Sequence, residues 1–325
     1  MCSVVRDEPG NQEEGKIIAR HLVKDYILKE KKGLFARGQK KVVHAVKDLS
    51  LEIPQGKITG VLGINGAGKT TTIRMLASII APTSGSLTMN GVDAVKKHLW
   101  VKERINVISG GERNLYWRLT AKENLRYFGS LYGLSGASLN EKIADLLETV
   151  GLEEAADIPV ERYSKGMKQR LQIARGLIND PEYLFMDEPT LGLDIVIAKE
   201  IRRLVQELAK EKKKGILLTT HYIREAEELC DYIYVLDKGE IIAQGTREEL
   251  KELFMYKPQL LIQVKPSDDQ EYLALLKEEG EKTADEHVLN LLMKHQIQVE
   301  GLSVQEPELE EVLMKIISQP DRRSQ

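Results

Sequence analysis

Cysteine is almost missing from this chain: 325 residues hold two, Cys2 and Cys230. With so few thiols, one of them in a polar tail, no disulfide framework is expected and a reducing cytoplasm is the expected compartment. An excess of positive charge is missing too. Lys and Arg total 47 against 50 Asp and Glu, a net charge of −3, so no nucleic-acid partner is expected. No stretch approaches the roughly 20 consecutive apolar residues that a membrane helix needs. If the protein works at a membrane, another chain must supply the spanning segments. The opening MCSVVRDEPGNQEEGK has no apolar centre and does not read as a secretory signal. Internal repeats and low-complexity tracts are also lacking. What remains, 42% hydrophobic and 30% charged residues, is the mixture of an ordinary folded soluble protein. The length suits one large domain plus a smaller one.

The pattern along the chain divides it. Residues 1–15 read as a loose tail. From Lys16, IIARHLVKDY, VVHAV and LSLEIP read as strands, with the basic stretch KEKKGLFARGQKK at 29–41 between the first two. GKITGVLG is a buried strand that runs into a glycine loop. KTTTIRMLASII has apolar Ile73, Leu76, Ala77 and Ile80 at helical spacing. SGSLTMNG is a short strand closed by the turn pair Asn90-Gly91. Helical patterns then dominate in TAKENLRYFGSLYGL, LNEKIADLLETVGL and KGMKQRLQIARGLI. Strands return at EYLFMD, GILLTTH and DYIYVLD, and Asp237-Lys238-Gly239 turns the last into EIIAQG as a hairpin. The fold expected is an α/β domain over 16–250, interrupted by a helical subdomain at about 115–178. A small α+β appendage over 257–325 mixes QLLIQV and IQVEGLSV strands with helices EYLALLKEE and PELEEVLMKIIS.

GINGAGKTT fits the pattern G-x-x-x-x-G-K-[ST] with Gly63, Gly68, Lys69 and Thr70. It follows an expected strand and opens an expected helix, the context that gives the motif its meaning. Along Gly63, Ile64, Asn65, Gly66, Ala67, Gly68, Lys69, Thr70 and Thr71, backbone N–H groups can curl around phosphates. The helix N-terminus adds partial positive charge. Lys69 reaches the outer phosphates as a point charge, and the Thr70 hydroxyl can ligate Mg²⁺. The ligand expected is ATP with Mg²⁺. Downstream, YLFMDEPT reads as a buried strand ending in two acids. Asp187 would hold Mg²⁺ through water, and Glu188 would orient or deprotonate the attacking water.

RYSKGMKQRLQIARGL, LGLD and LLTTH complete the set. With them the chain resembles the ATP-binding subunit of ABC transporters from about residue 16 to 245. Residues 63–71 match the Walker A motif, 184–188 the Walker B, 163–167 the family signature, 191–194 the D-loop, and His221 the switch histidine. A lone phosphate loop occurs in many NTPases; five motifs in this order point to one family. The resemblance implies a head-to-tail pair of ATP-binding subunits, expected to be a homodimer. Each ATP would lie between the Walker residues of one subunit and Ser164, Gly166 and Met167 of the other. It implies that His221 contacts the γ-phosphate, that Asp194 crosses the interface, and that Tyr26 stacks on adenine.

The sequence departs from the family in places. The signature is YSKGM, with Lys165 for a glycine and Met167 for a glutamine. At the Q-loop the usual glutamine falls on Gly111, which has no side chain to offer a metal; neighbouring Glu112 is the candidate substitute. Leu115, Tyr116 and Trp117 follow, in the region where the resemblance implies a permease helix docks. The ending VQEPELEEVLMKII, with an apolar face of Leu309, Val312, Leu313 and Ile316, resembles the tail of drug-resistance-type, daunorubicin-resistance-like exporter ATPases. The function implied is an ATPase at the cytoplasmic face of a membrane, peripheral to it, powering export through a separate permease. A non-transport relative acting on ribosomes or DNA is the alternative. Tandem domains, long coiled coils or a basic excess would favour it, and none is seen. The basic stretch at 29–41 reads as a solvated turn, with contact to anionic lipid headgroups the functional alternative.

Overall fold

The computed structural model describes residues 13–30, 39–109, 115–252, 259–264 and 299–305. Gly111, Glu112, most of the basic stretch, most of the tail and the expected C-terminal helices, with Leu309, Val312, Leu313 and Ile316, lie outside the described residues. The chain divides into two units between Leu250 and Lys251.

The first unit is an α/β fold built on one mixed sheet. Its strands are β1 (Lys16–Glu30), β2 (Gln39–Pro54), β3 (Ile58–Leu62), β4 (Ser84–Met89), β5 (Val92–Asp93), β6 (Ile105–Ser109), β7 (Tyr183–Asp187), β8 (Gly215–Thr220), β9 (Tyr232–Asp237) and β10 (Glu240–Gly245). They form one sheet in the order β5-β4-β1-β2-β10-β9-β3-β8-β7-β6. The outer part, β5-β4-β1-β2, is antiparallel, while β9, β3, β8, β7 and β6 run parallel. Non-consecutive parallel neighbours need crossovers, and the helices supply them. These are α1 (Lys69–Leu76), α2 (His98–Arg104), α3 (Ala121–Leu131), α4 (Gly136–Thr149), α5 (Lys165–Leu177), α6 (Ile195–Lys210), α7 (Ile223–Leu229) and α8 (Arg247–Glu252). The second unit contributes the described antiparallel pair β11 (Gln259–Val264) and β12 (Val299–Gln305).

Alternation along the central strands feeds two cores, one on each face of the sheet. On β7, Leu184 and Met186 join the core shared with α3, α4, α5 and α6, whereas Tyr183 and Phe185 join the core shared with α1 and β2. β8 does the same with Ile216 and Leu218 against Leu217. Burial on both faces is why these strands read as unbroken apolar runs. In the helical insert, α3 starts on a capping box: the Thr120 side chain accepts from the Glu123 N–H, and Glu123 accepts from the Thr120 N–H.

Two sequence expectations shift. VVHAV and LSLEIP are one continuous strand, β2, which bulges against β1 rather than breaking: Leu22 pairs with Leu49, Lys24 with Val46 and Asp25 with His44, so β2 carries an extra residue at each of these two steps. A shift of the opposite sense lies on β1 between Ala19 and Leu22, where His21 has φ 52°. The helix after the glycine loop ends at Leu76, short of Ile80, and Ser78 then adopts a left-handed φ of 53°. The helices α2, α6, α7 and α8 and the strands β5 and β6 lie outside the elements expected from the sequence.

Candidate functional site

The parallel strands β3, β7 and β8 end on the same edge, where ligands bind in open α/β sheets. A cavity of about 480 Å³ lies there, within the range of small-molecule sites. Ile64, Asn65, Gly66, Gly68, Lys69, Thr70 and Thr71 line it from the glycine loop, and Asp187 and Glu188 from the end of β7. Gly68 sits at φ 106°, and a Cβ there would meet the Ala45 carbonyl oxygen at 2.8 Å. Only glycine turns the chain into α1 at this point. Lys69 is 6% exposed; its Nζ donates to the carbonyl oxygens of Gly63 at 2.6 Å and Ile64 at 3.4 Å. The ammonium is therefore held at the cavity wall by the loop it serves. Ala67, inside the same loop, is 1% exposed and donates its N–H to Ile64 O.

The acids are braced from β8. Asp187 accepts from the Thr219 hydroxyl at 2.5 Å and from the Thr70 hydroxyl at 3.1 Å. Glu188 has φ 51°, a left-handed conformation that costs a non-glycine residue about 1–3 kcal/mol and persists only where neighbours over-determine it. Here its N–H points at both Thr219 O (3.0 Å) and Thr219 Oγ1 (3.2 Å). Its carboxylate Oε1 lies 3.1 Å from His221 Nδ1 and 3.5 Å from Lys69 Nζ. A carboxylate at the cavity edge between two nitrogen groups is placed to accept a proton and to be reoriented by either neighbour.

These residues fit ATP and Mg²⁺. Thr70 Oγ1 and Asp187 Oδ2 face each other as hard oxygen donors, and Mg²⁺ is bound by one or two such protein ligands with water and phosphate completing its shell. Lys69 and the start of α1 face the same space with positive charge.

The remaining expected residues lie elsewhere. Ser164 caps α5, its hydroxyl accepting from the Met167 N–H at 3.2 Å. Asp194 caps α6, accepting from the Ile197 N–H at 3.0 Å. The two helix starts abut: a Cβ on Gly166 would come 2.7 Å from Ile197 Cγ2, and Lys165 Nζ donates to Gly192 O at 2.8 Å. The lysine that departs from the family signature thus ties the signature to the D-loop. None of Ser164, Gly166, Met167 or Asp194 lines the cavity.

Tyr26 lies on β1 opposite Val43, with the Lys24 ammonium 5.5 Å from its ring centroid. It is not among the lining residues; Val43, His44 and Ala45 of β2 are. His44 Nδ1 is 2.7 Å from Asp25 Oδ1 across the strand pair. Sequence reasoning missed His44 and Val43, together with Ala45, Ser109 and Thr219; Leu191, the first residue of the expected D-loop, also lines the cavity. The strand register is the signal that would have found the first two, since it sets Val43 opposite Tyr26.

At the helical insert, Leu115 is buried while Tyr116 and Trp117 are each 47% exposed. Tyr116 packs edge-on against Tyr127 with centroids 4.8 Å apart. A side-chain hydrogen bond with Tyr127, then burial, raises the Tyr116 phenol above its ordinary pKa. Arg175 of α5 donates to Val107 O at 3.1 Å and lies over the Phe128 ring. Burial lowers its pKa from the usual arginine value. Through Arg175 the strand that leads toward residue 110 is tied to the helical insert.

Comparison with known proteins agrees with this geometry. Residues 46–191 match the family model described as ABC transporter. The ABC transporter ATP-binding protein NatA of Bacillus subtilis is 47% identical over 214 residues, covering 66% of this chain and 87% of NatA. The daunorubicin/doxorubicin resistance ATP-binding protein DrrA of Streptomyces peucetius is 42% identical over 207 residues, 64% of this chain and 62% of DrrA. Among solved structures, the dimeric post-hydrolysis state of the ATP-binding cassette MJ0796, bound to ADP and Pi, superposes with a TM-score of 0.60. It is 25% identical and covers 71% of this chain and 98% of that one.

Proposed function

The chain belongs to the ABC transporter family as an ATP-hydrolysing, ATP-binding subunit, and from that premise we propose that it powers an exporter. A separate membrane-spanning permease carries a drug, lipid or similar compound. Relatives named for resistance to daunorubicin/doxorubicin and linearmycin support the outward direction and the substrate class. Among the described residues no helix is long and apolar enough to cross a membrane, which fits a subunit held at the membrane face by its partner.

One observation carries the mechanism: Glu188 is held between Lys69 and His221 at the cavity, while Ser164, Gly166 and Asp194 lie outside it. Such an arrangement supports half-sites completed by a second copy of the chain, signature to cavity. In this reading residues 63–71 hold the phosphates, with Lys69 on the outer ones. Thr70 and Asp187 hold Mg²⁺, which when bound neutralises charge on the phosphate oxygens. Glu188 takes the proton of the attacking water, and His221 keeps the Glu188 carboxylate aimed. The adenine is assigned to the β1–β2 edge, where Tyr26 stands opposite Val43. Exposed Tyr116 and Trp117 form the permease-facing surface, as aromatics at interface cores do.

The test uses Glu188→Gln. With ATP and Mg²⁺ this variant should double its mass in light scattering and remain dimeric, and should co-purify with a permease co-expressed from the same source. A chain that stays monomeric with bound ATP at all concentrations would remove the half-site reading.

A further inference from the structure

Behind the catalytic acid the chain carries a buried polar contact that the hydrolytic scheme leaves unused. Thr190 lies two residues beyond Glu188, in the turn leading to residues 191–194. Its hydroxyl donates to Glu225 Oε1 at 2.5 Å. Both partners are interior, Thr190 at 7% and Glu225 at 4% exposed. Glu225 stands on α7, which begins directly after His221 and Tyr222. Its second oxygen, Oε2, is buried and has no hydrogen-bond partner among the described residues. A carboxylate kept in the interior with one oxygen unsatisfied is costly for stability alone, and an apolar pair of similar shape would pack there without that cost.

The elements joined by this contact are the two that carry the hydrolytic groups. On one side is the β7 turn with Glu188, Leu191 and Asp194. On the other is the β8–α7 junction with His221, where the Tyr222 N–H is already fixed by Thr220 Oγ1 at 3.0 Å. Glu188 and His221 are themselves in contact at the cavity. Beyond the strand pairing and the Thr219 bonds to Asp187 and Glu188, the two segments are thus joined by two side-chain contacts, a part-buried one at Glu188 and a buried one behind it. With the rear contact in place, the histidine and the acid move together, and residues 191–194 move with them. Without it, the His221–Glu188 contact is the one remaining side-chain link described between them beyond the Thr219 bonds.

We propose that Glu225 is a positioning residue for ATP hydrolysis: through Thr190 it locks the His221 segment to the turn that carries Glu188 and Asp194. This rests on the roles given to Glu188 and His221 above.

The experiment measures ATP turnover and ATP affinity of the purified full-length chain in Thr190→Val, Thr190→Ser, Glu225→Ala and Glu225→Gln, with Glu188→Gln in parallel. Thr190→Val should lower kcat by on the order of 10- to 100-fold, the scale of a small misplacement of catalytic groups, with ATP affinity unchanged. Thr190→Ser restores the donor and should restore kcat. Glu225→Gln keeps an acceptor oxygen and should stay near the parent, while Glu225→Ala should match Thr190→Val. A variant carrying both Thr190→Val and Glu225→Ala should be no slower than the slower of the two single variants. Unchanged kcat in Thr190→Val, or equal losses in kcat and ATP affinity, overturns the proposal. If Glu225→Ala does not fold, the Thr190 pair decides alone. Normal hydrolysis by Glu188→Gln would instead overturn the underlying assignment of the acid.

Discussion

The cavity wall and the signature surface are built on opposite plans. At the cavity, each working side chain is held by another part of the chain. Lys69 is held by Gly63, Asp187 by Thr70 and Thr219, and Glu188 by Thr219 and His221. At the signature, the side chains of Ser164 and Asp194 bond, among the described residues, forward into their own helices. Beside them Ile195 is 85% and Val196 66% exposed. The first region is pre-organised for chemistry and needs little reorganisation on binding. The second is organised locally, as a surface awaiting a counterpart. The difference is the one that the proposed half-site arrangement requires, with the nucleotide held by one copy and the site completed by a second.

The comparison can be broken most severely at Glu188. Glu188→Gln should cut turnover by about 10²–10⁴-fold, the range for loss of a general base, while leaving ATP binding intact in a filter or calorimetric assay. Next comes Lys69→Ala. Loss of charge-assisted bonds worth about 1.5–3 kcal/mol should weaken ATP binding by roughly 10- to 100-fold. Normal affinity would show that the cavity does not depend on its braced lysine.

Ser164→Ala sharpens the other side. It removes a helix cap worth about 1 kcal/mol, so a modest fall in melting temperature is expected. Monomer affinity for ATP should not change, whereas ATP-dependent dimerisation in the Glu188→Gln background should weaken. A fall in monomer affinity would mean the two regions are not separate. Lys165→Ala should have a smaller effect, a few-fold loss of turnover at constant ATP affinity, because its bond to Gly192 O is exposed and solvent competes with it.

The smallest effect is expected at the opposite end of the sheet, where Asp180 meets Lys214 at 2.6 Å ahead of β7 and β8. The Lys214 hydrogen bond lowers the Asp180 pKa below 3.8. A depressed carboxyl stabilises the fold above its unfolded pKa, and that contribution fades as pH falls through the lower folded value. Asp180→Asn should therefore melt at most about 2 °C lower at pH 7 and converge with the parent in strong acid.

The cavity side was also the more legible from sequence, for a physical reason. Its residues are contiguous, 63–71 and 184–188, and each run sits on a strand whose burial on both faces writes an apolar stretch. The hairpin turns at Asn90-Gly91 and Lys238-Gly239 were legible because left-handed positions restrict composition; Asn90 and Lys238 have φ 50° and 47°. What was not legible depends on pairing across distance. Val43 and His44 reach the cavity only through the register of β1 on β2. Thr219 acts through a neighbouring strand, and Thr190 meets Glu225 across two turns. The continuity of β2 through Lys47 and Asp48 was hidden because β2 bulges there, and extra residues interrupt the alternation by which a strand is read. Tyr26 was placed near the base by resemblance; the register puts it opposite the lining residue Val43.

That register has a bearing on how such a chain varies over evolutionary time. Between the cavity residue Val43 and the β1–β2 connection stand four further cross-strand pairs, Ile27 with Val42 through Glu30 with Gln39. A segment inserted or lost at the connection changes only the far tip of a ladder, beyond these pairs. The connection is thus a place where new surface can be added to the chain while the wall around the nucleotide keeps its spacing.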